Sequence, residues 1–293
     1  MEQRFSNPFQ GAGTWVRTCL HCHTSNSDGG LSVADTISRY SSLGYRCICI
    51  TDHRMVSRAS KHSGENLVVV DSIEVGGNPD VIGIGVEEPP DPNLPFDSRV
   101  SELYRQGAFT IAAHPTYCAA LPQDYLPCEG LMAIEIYNAY CEEAYANGVA
   151  TEVWDMLLGE GKRVWGVASD DAHLNPKKRY YSHAGHAWVE AWVSELSVRA
   201  VLNSLKAGSF YSTQGPKFTG LDLGESPSIT CSPVVEVRWR TRGSTGFVDR
   251  PTGGNALTSS ELPDWFRARD YVRIELVDQD GLRAWSNPFF INE

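Results

Sequence analysis

Several features that define whole classes of proteins are missing from this sequence of 293 residues. No apolar run reaches about 18 residues, the length that a membrane-spanning helix needs. The first residues, Met1 to Phe5, lack the basic stretch and apolar run of a secretory signal peptide. We therefore expect no membrane partner and a cytoplasmic location.

Positive charge is also scarce. The chain has 25 lysine and arginine residues against 36 aspartate and glutamate residues, which gives a formal net charge of -11. Proteins that bind long nucleic acids need basic surfaces to hold the phosphate backbone. The charge balance thus argues against a long nucleic acid as partner, and carboxylates that bind cations would account for part of the acidic excess.

The eight cysteines lack the dense pattern of a small, disulfide-stapled domain. Cys19-Leu20-His21-Cys22 is a CxxC motif, but no second CxxC completes a zinc ribbon. The Gly-x-Ser-x-Gly motif of many serine hydrolases is absent as well. We expect reduced, mostly buried thiols, which is how free cysteine usually behaves.

Apolar runs and capping residues over the first two thirds predict strands that alternate with helices. Ser32 and Asp35 have the spacing of a capping box, and Gly44 follows the helix that they begin. The predicted strands are 15–20, 46–51, 67–75, 81–86, 109–113, 131–137 and 164–168, and the predicted helices are 31–43, 97–106, 141–158 and 195–206. Such alternation is typical of a parallel sheet or barrel.

The pattern changes after residue 214. Residues 215–293 contain β-rich runs at 234–240 and 271–277, several glycine-rich turns and no histidine. We interpret this part as a small antiparallel β domain that follows a first domain of residues 1–214. Pocket shaping, dimerisation and bracing of the first domain are all open as its role, and the oligomeric state is open too.

Three short motifs carry side chains that bind metal ions: His21-Cys22-His23, Asp52-His53 and Asp171-Ala172-His173. Each follows an apolar run. Residues two apart in a strand point to the same face, so His21 and His23 can converge on one ion, as can Asp171 and His173. Imidazole with carboxylate suits zinc, manganese and iron alike.

Further candidate ligands follow other predicted strands, namely Glu74 and His114. In a barrel of parallel strands the carboxyl ends meet at one rim, where active sites form. Residues that are 150 positions apart are therefore predicted to meet there. His62, His183 and His186 lack this placement, and we interpret them as loop residues, of which His183 or His186 could reach substrate.

These motifs resemble those of the PHP family, the polymerase and histidinol phosphatase metallohydrolases, in order and strand context over about residues 17–213. The matching segments are Leu20-His21-Cys22-His23-Thr24 with Asp28-Gly29, Ile50-Thr51-Asp52-His53, Ile73-Glu74, Ala113-His114-Pro115 and Ser169-Asp170-Asp171-Ala172-His173. The tail segments Phe210 to Pro216 and Ala284 to Pro288 resemble the branch that includes carbaryl-hydrolase-like proteins.

The resemblance implies a distorted (β/α)7 TIM-like barrel with two or three divalent ions at its rim. The implied ligands are His21, His23, Glu74 and Asp171 for one ion, Asp28, His53 and His173 for a second, and Glu74 with His114 for a third. The family usually supplies one more histidine after the Glu74 strand, where this chain has Asp80. Asp80 is therefore either a ligand of the third ion or a turn residue after Asn78-Pro79.

Polar neighbours of the motifs have supporting roles in this interpretation. Asp52 and Asp170 are expected to orient ligand histidines or to bond the backbone rather than to bind metal. Glu135 and Asn138 end another strand at the same rim, and we expect them to support the site.

A bound divalent ion lowers the pKa of water to about 7, so a metal-bound hydroxide would attack without a separate protein nucleophile. Two loops beside the rim carry basic residues: Arg54, Arg58 and Lys61 in one, and Lys177, Lys178 and Arg179 in the other. They indicate a small anionic substrate, for which a phosphorylated compound fits, with Arg54 and Arg179 as candidate substrate-binding residues. Ordinary solvated loop charges are the alternative.

Three functions are consistent with the residues. The favoured one is a metal-dependent phosphoesterase that acts on a small phosphorylated metabolite or a short nucleotide. The alternative is an ester, amide or carbamate hydrolase that uses the same site. A non-catalytic, metal-stabilised binding module fits less well, because a purely structural site should be closed and four-coordinate rather than carboxylate-bridged.

Overall fold

The computed structural model describes residues 5–9, 11–177, 184–243, 245–253 and 255–291. Its helices are α1 (Val33–Ser42), α2 (Phe96–Arg105), α3 (Pro122–Tyr125), α4 (Ala139–Tyr145), α5 (Thr151–Gly159) and α6 (Val198–Ala207). Its first nine strands are β1 (Thr14–Cys19), β2 (Cys47–Ile50), β3 (Val68–Val75), β4 (Asp80–Ile84), β5 (Phe109–Ala113), β6 (Ala133–Asn138), β7 (Trp165–Ser169), β8 (Trp188–Val193) and β9 (Phe210–Thr213). Among these described residues, no helix has the length and apolar character needed to cross a membrane.

The described residues of the tail, which is the part after residue 214, form eight further strands. They are β10 (Phe218–Asp222), β11 (Ser228–Val234), β12 (Glu236–Arg240), β13 (Gly246–Asp249), β14 (Leu257–Glu261), β15 (Tyr271–Val277), β16 (Arg283–Ser286) and β17 (Phe289–Phe290).

The central strands run mostly parallel. β1 pairs with β2, β2 with β3, β5 with β6 and β6 with β7 in parallel register. Side chains bring β7 back toward β9, because the Ala168 N–H donates to Ser212 Oγ and the Ser212 hydroxyl donates to Gly166 O, each at 2.9 Å. The predicted α/β class is confirmed, with parallel strands consistent with a TIM-like barrel and antiparallel strands after it.

Local sequence explains where the first helix begins and ends. Ser32 Oγ accepts the Asp35 N–H at 3.2 Å and donates to the Asp35 carboxylate at 2.7 Å. This bond satisfies one of the free N–H groups of the first turn of α1. Gly44 follows the helix with a φ of +84°, a conformation that glycine adopts without steric cost. The predicted start and stop signals are thus confirmed.

The predicted helix over 141–158 is wrong, since the structure divides it into α4 and α5. Ala146 ends α4 in a left-handed conformation with a φ of +55°. Gly148 then passes so close to β6 that an added Cβ would lie 2.1 Å from Asn138 O. The backbone needs glycine at this contact, which a continuous helix could not make.

Other differences concern strands. β4 runs antiparallel to both β3 and β5, whereas the alternating pattern predicted parallel neighbours. The predicted strand over 234–240 is two strands, because β11 ends at Val234 and β12 begins at Glu236. β8, which pairs antiparallel with β1, was not predicted.

The tail is antiparallel, and it continues the sheet of the first part. β16 pairs with β9, β15 with β16, and β12 with β15, whereas β10, β11 and β14 form a separate sheet. Tyr271 and Trp285 lie in the same apolar cluster as Trp154 of α5. Asn287 accepts the Gly166 N–H at 3.0 Å. The domain boundary at residue 214 stays a prediction.

All eight cysteines are among the described residues, where they are buried and free. This agrees with the expectation of reduced thiols, and no disulfide contributes to holding the described part of the fold together.

Candidate metal centre

The ends of the central strands bring the predicted ligands to one rim. His21 and His23 follow β1, His53 follows β2, Glu74 lies near the end of β3, His114 follows β5, and Asp171 and His173 follow β7. His53 and Glu74 face each other in a parallel bridge, and so do Cys22 and Ala172. Asp80 joins the rim because β4 runs antiparallel, so that its first residue lies where the parallel strands end.

Four buried side chains form the centre of this cluster: His21, His23, Glu74 and Asp171. The Nε2 atoms of His21 and His23 are 3.1 Å apart. Asp171 Oδ1 lies 3.2 Å from His21 Nε2 and 3.0 Å from His23 Nε2. Glu74 Oε2 lies 3.4 Å from His21 Nε2 and 3.3 Å from His23 Nε2.

The spacing of the His21, His23 and Asp171 atoms is that of ligand atoms around one ion. With metal–ligand distances of about 2.0–2.1 Å, tetrahedral ligand atoms are about 3.3 Å apart. In addition, the buried Glu74 Oε2 lies within 3.4 Å of three ring nitrogens, His21 Nε2, His23 Nε2 and His53 Nδ1, the last of them at 2.9 Å. A buried carboxylate charge needs compensation, and a cation between it and the ring nitrogens would supply it. The donor set therefore fits a divalent metal ion.

A second group lies beside the first and opens to solvent. The Asp28 carboxylate is 3.2 Å from His173 Nε2 and 3.5 Å from His53 Nε2. His23 Nδ1 is 4.0 Å from Asp28 Oδ1 and joins the same group. The side chains of His53 and Asp28 are 40% and 42% exposed. The structure thus brings together the three residues implied as ligands of a second ion, on the solvent-exposed side of the cluster.

The third group differs from the implied one. His114 Nε2 lies 2.9 Å from Glu74 Oε1, as a shared ion would require. Asp80 and Cys118 also have ligand atoms near His114, and Cys118 Sγ is 3.4 Å from His114 Nδ1. Asp80 Oδ1 accepts the N–H groups of Gly77 and Asn78 at 2.8 and 3.1 Å, which is the turn role considered for it. The sequence interpretation missed Cys118, whose signal was its position four residues after His114.

Glu135 holds two of the ligands in place. Its Oε1 is 2.8 Å from His21 Nδ1 and also accepts from the Ser169 hydroxyl. Its Oε2 accepts the His114 N–H at 2.7 Å and Asn138 Nδ2 at 3.0 Å. Because the carboxylate binds Nδ1 of His21, that ring keeps Nε2 available as a ligand atom. The expected supporting role of Glu135 agrees with these contacts.

The two acidic neighbours of the motifs bond other groups, as expected. Asp52 accepts the Thr24 N–H and hydroxyl, each at 2.7 Å, together with the hydroxyls of Ser27 and Ser57. These bonds fix the loop that carries Asp28.

Asp170 accepts the N–H groups of Gly185, His186 and Ala187 at 2.8–2.9 Å. The hydroxyl of Tyr40 also donates to it, at 3.1 Å. Burial raises the pKa of Asp170, although these bonds favour its charged form. Its carboxylate therefore anchors the backbone of residues 185–187.

The buried ligands shift one another's pKa values. Burial lowers the pKa of His21, but the carboxylates of Asp171, Glu135 and Glu74 outweigh it and hold that pKa well above its ordinary value. Burial raises the pKa of Glu74, but His21 and His114 outweigh it and hold that pKa well below its ordinary value. The cluster thus keeps its carboxylates charged, and it attracts cations.

Two ligands also have unusual backbone conformations. His114 and Asp171 have φ values of +27° and +51°, which residues other than glycine rarely adopt. Such conformations cost about 1–3 kcal/mol each and are concentrated at functional sites.

Of the two predicted substrate-binding residues, the structure describes Arg54 but not Arg179. Arg54 follows His53 directly and is exposed, with its N–H bonded to Glu74 O at 2.8 Å, so its side chain starts at the rim. Arg58 pairs with Glu88 at 3.1 Å instead. Lys61 and Lys177 are exposed. Arg179, Lys178 and His183 lie outside the described residues, and His186 Nδ1 pairs with Glu143 at 2.5 Å.

We compared the chain with known protein families, curated proteins and solved structures. No protein-family model matches the chain, and no curated protein matches it. Among solved structures, it is similar to a two-domain protein from Bacteroides vulgatus that contains a predicted PHP-like metal-dependent phosphoesterase. The identity is 13%, the match covers 98% of this chain and 99% of that one, and the TM-score is 0.54.

It is also similar to an amidohydrolase from Chromobacterium violaceum, solved with bound sulfate and no metal. That match has 11% identity and a TM-score of 0.42, and it covers 57% of this chain and 90% of that one. At these identities the first likeness is one of fold. Over nearly its whole length, the chain has the fold of the two-domain Bacteroides protein.

Proposed function

We propose that this chain is a metal-dependent hydrolase of the PHP family, and that it acts as a phosphoesterase on a small phosphorylated metabolite or a short nucleotide. One observation carries the proposal. The ligand atoms of His21, His23 and Asp171 are 3.0–3.2 Å apart in a buried cluster, as donors around one ion would be, and Glu74 Oε2 lies 3.3–3.4 Å from both ring nitrogens.

The residues divide into sets that would each hold an ion. His21, His23, Glu74 and Asp171 would bind the first, and Asp28, His53 and His173 the second. Glu74, His114 and Asp80 would bind a third. Zinc, manganese and iron all suit these donors. When bound, such an ion would supply Lewis acidity and would lower the pKa of water so that hydroxide is available at neutral pH.

The chain's own residues prepare the site. Glu135 orients His21, and the bonds that Asp52 accepts fix the loop of Asp28. The exposed side of Asp28 and His53 leaves an open approach for a substrate. A purely structural site would be closed, so this opening supports catalysis over a binding module.

Arg54 is the residue that we propose for binding the substrate anion. It is exposed and follows His53, and a guanidinium pairs well with phosphate oxygens. Replacing Arg54 by alanine should lower kcat/KM for phosphate esters by about 5- to 150-fold, which corresponds to about 1–3 kcal/mol. An unchanged kcat/KM would remove Arg54 from the site.

The test is release of phosphate from a chromogenic phosphate ester by the full chain with added Mn(II) or Zn(II). We expect turnover that His21→Ala abolishes and that His62→Ala preserves, since His62 is an exposed residue of the turn Ala59–His62 away from the ligand sets. Turnover of aryl esters or carbamates alone would replace the phosphoesterase proposal by the alternative hydrolase. Tight metal binding without any turnover would instead support a binding module.

We also propose that the chain belongs to the carbaryl-hydrolase-like branch. The two tail segments that resemble this branch are neighbours in the sheet, because β9 and β16 pair with Ser212 opposite Trp285. Carbamate turnover by the metal-loaded protein would support the branch, and its absence beside phosphate release would argue against it.

A further inference from the structure

Three tyrosines form a continuous series of ring contacts between two of the candidate ligands. His114 contacts Tyr117 with ring centroids 5.3 Å apart, and Tyr117 contacts Tyr145 at 5.4 Å. Tyr145 contacts Tyr140 at 6.0 Å, and Tyr140 contacts His173 at 4.8 Å. We call Tyr117, Tyr140 and Tyr145 the tyrosine arc.

The arc combines exposure with a well-anchored base. Tyr117 and Tyr145 are 47% and 50% exposed. Beneath them, Asn138 caps α4 by accepting the Cys141 N–H at 2.9 Å, and it donates to the ligand Asp171 at 3.2 Å. The helix that carries two of the tyrosines is thereby tied to the candidate metal centre.

The loop of the third tyrosine is tied to the same region. The Thr116 hydroxyl donates to Val149 O at 2.7 Å, just beyond α4. The Cys118 N–H donates to His114 O at 3.1 Å, which closes the turn around Tyr117. The exposed rings therefore have supported positions beside the candidate ligands, and each presents an uncharged aromatic face or edge next to a charged site.

We propose that the tyrosine arc binds a planar aromatic ring of the substrate while the phosphate group lies at the metal centre. This rests on the proposed function and narrows its substrate class to phosphate monoesters that carry an aromatic ring. Tyrosine rings stack favourably on other flat rings, and stacking of a base on an aromatic side chain contributes about 1–3 kcal/mol. The ring can belong to a nucleobase or to an aryl group.

The experiment uses two pairs of esters that differ in the ring and share the type of leaving group. AMP is compared with ribose 5-phosphate, and benzyl phosphate with cyclohexylmethyl phosphate, on the metal-loaded full chain. We expect kcat/KM to be higher for the aromatic member by about 5- to 150-fold. Preference in the first pair alone would assign the ring to a nucleobase, and preference in the second pair alone would assign it to an aryl group.

Variants separate stacking from a merely structural role. Tyr117→Leu and Tyr145→Leu should each reduce the aromatic preference at least about fivefold. Tyr104→Leu is the matched control, because Tyr104 is 51% exposed and lies on α2, outside the arc. The Tyr104→Leu variant should prefer the aromatic esters as strongly as the wild type does. If the leucine variants in the arc lose activity equally on both members of each pair, the arc only supports the ligands and the inference is overturned.

A binding measurement makes the result independent of turnover. Calorimetry of zinc-loaded protein with phenylphosphonate and methylphosphonate should show tighter binding of the aromatic anion, and Tyr117→Leu should remove that difference. Equal binding of the two phosphonates would overturn the inference. Failure to release phosphate from any of the four esters would instead refute the proposed function, so the two failures are distinguishable.

Discussion

Replacing Glu135 by glutamine tests how the candidate ligands are held. The carboxylate accepts from His21 Nδ1 at 2.8 Å, the Ser169 hydroxyl, the His114 N–H at 2.7 Å and Asn138 Nδ2 at 3.0 Å. All these contacts are buried, and each is made to a donor. A carboxylate has enough lone pairs for them, but a glutamine amide has one accepting oxygen and one donating NH2 group.

Neither orientation of the amide can replace the carboxylate. With its oxygen toward His21, the NH2 group faces the His114 N–H and Asn138 Nδ2, and buried donors are left without acceptors at about 1–3 kcal/mol each. With its NH2 group toward His21, it needs Nδ1 as an acceptor. The proton then lies on His21 Nε2, the atom that would bind the ion.

We therefore expect Glu135→Gln to weaken zinc binding by about 10- to 100-fold. The free energy of unfolding of the metal-free protein should fall by about 1–3 kcal/mol. Competition with a chromogenic chelator measures the first quantity, and urea unfolding in the presence of EDTA measures the second.

A matched substitution serves as the control. Glu190 on β8 is partly buried and accepts from Trp188 Nε1 at 2.8 Å, outside the ligand groups. Glu190→Gln should leave the Kd for zinc unchanged. If Glu135→Gln also bound zinc with the wild-type Kd, the assignment of His21 Nε2 as a ligand atom positioned by Glu135 would be refuted.

Further predictions concern pH and stability. Burial lowers the pKa of His21 and His114, but their side-chain partners raise both above the ordinary value of 6.5. The two protonated rings therefore stabilise the metal-free fold fully below about pH 6.5, and this stabilisation is lost as the pH rises through their raised pKa values. Zinc affinity rises over the same range, because the rings must lose their protons to bind the ion. Equal unfolding curves in EDTA at pH 6 and pH 8 would contradict this expectation. Arg273→Met should lower the free energy of unfolding by about 1.5–3 kcal/mol, because Asp155, whose side chain is only 25% exposed, loses two hydrogen bonds and keeps only its ion pair with Arg240. Arg242→Met, in an exposed pair, should change that free energy by less than about 1 kcal/mol, and equal urea midpoints for the two variants would refute the difference. Asn287→Ala should cost about 2 kcal/mol in thermal unfolding, because the Gly166 N–H loses its acceptor, and an unchanged Tm would show that the tail is not anchored there.

Much of the candidate site could be predicted because strand geometry is local. Residues two apart in an extended chain share a face, which groups His21 with His23. The same rule fails for Asp171, whose φ of +51° is not extended, so that its carboxylate lies with His21 and His23 while His173 lies with Asp28 and His53. The carboxyl ends of parallel strands share a rim, which brings in His53. These rules need only short segments of sequence, so they survive errors in helix boundaries such as the one at 141–158.

The remaining features depend on contacts between distant segments. The antiparallel direction of β4, which brings Asp80 to the rim, follows from its pairing with both β3 and β5. The tyrosine arc needs the loop after β5 to meet α4.

The amino-acid sequence by itself determined which side chains carry the chemistry and that they follow successive strands, because periodicity and strand order are written in local residue types. Only the tertiary structure decided which candidate ligand atoms lie close together, that Glu135 receives four donors and that the tail joins the barrel sheet through β9 and β16. Distances of about 3 Å between residues far apart in the chain are set by packing, and periodicity carries no information about them.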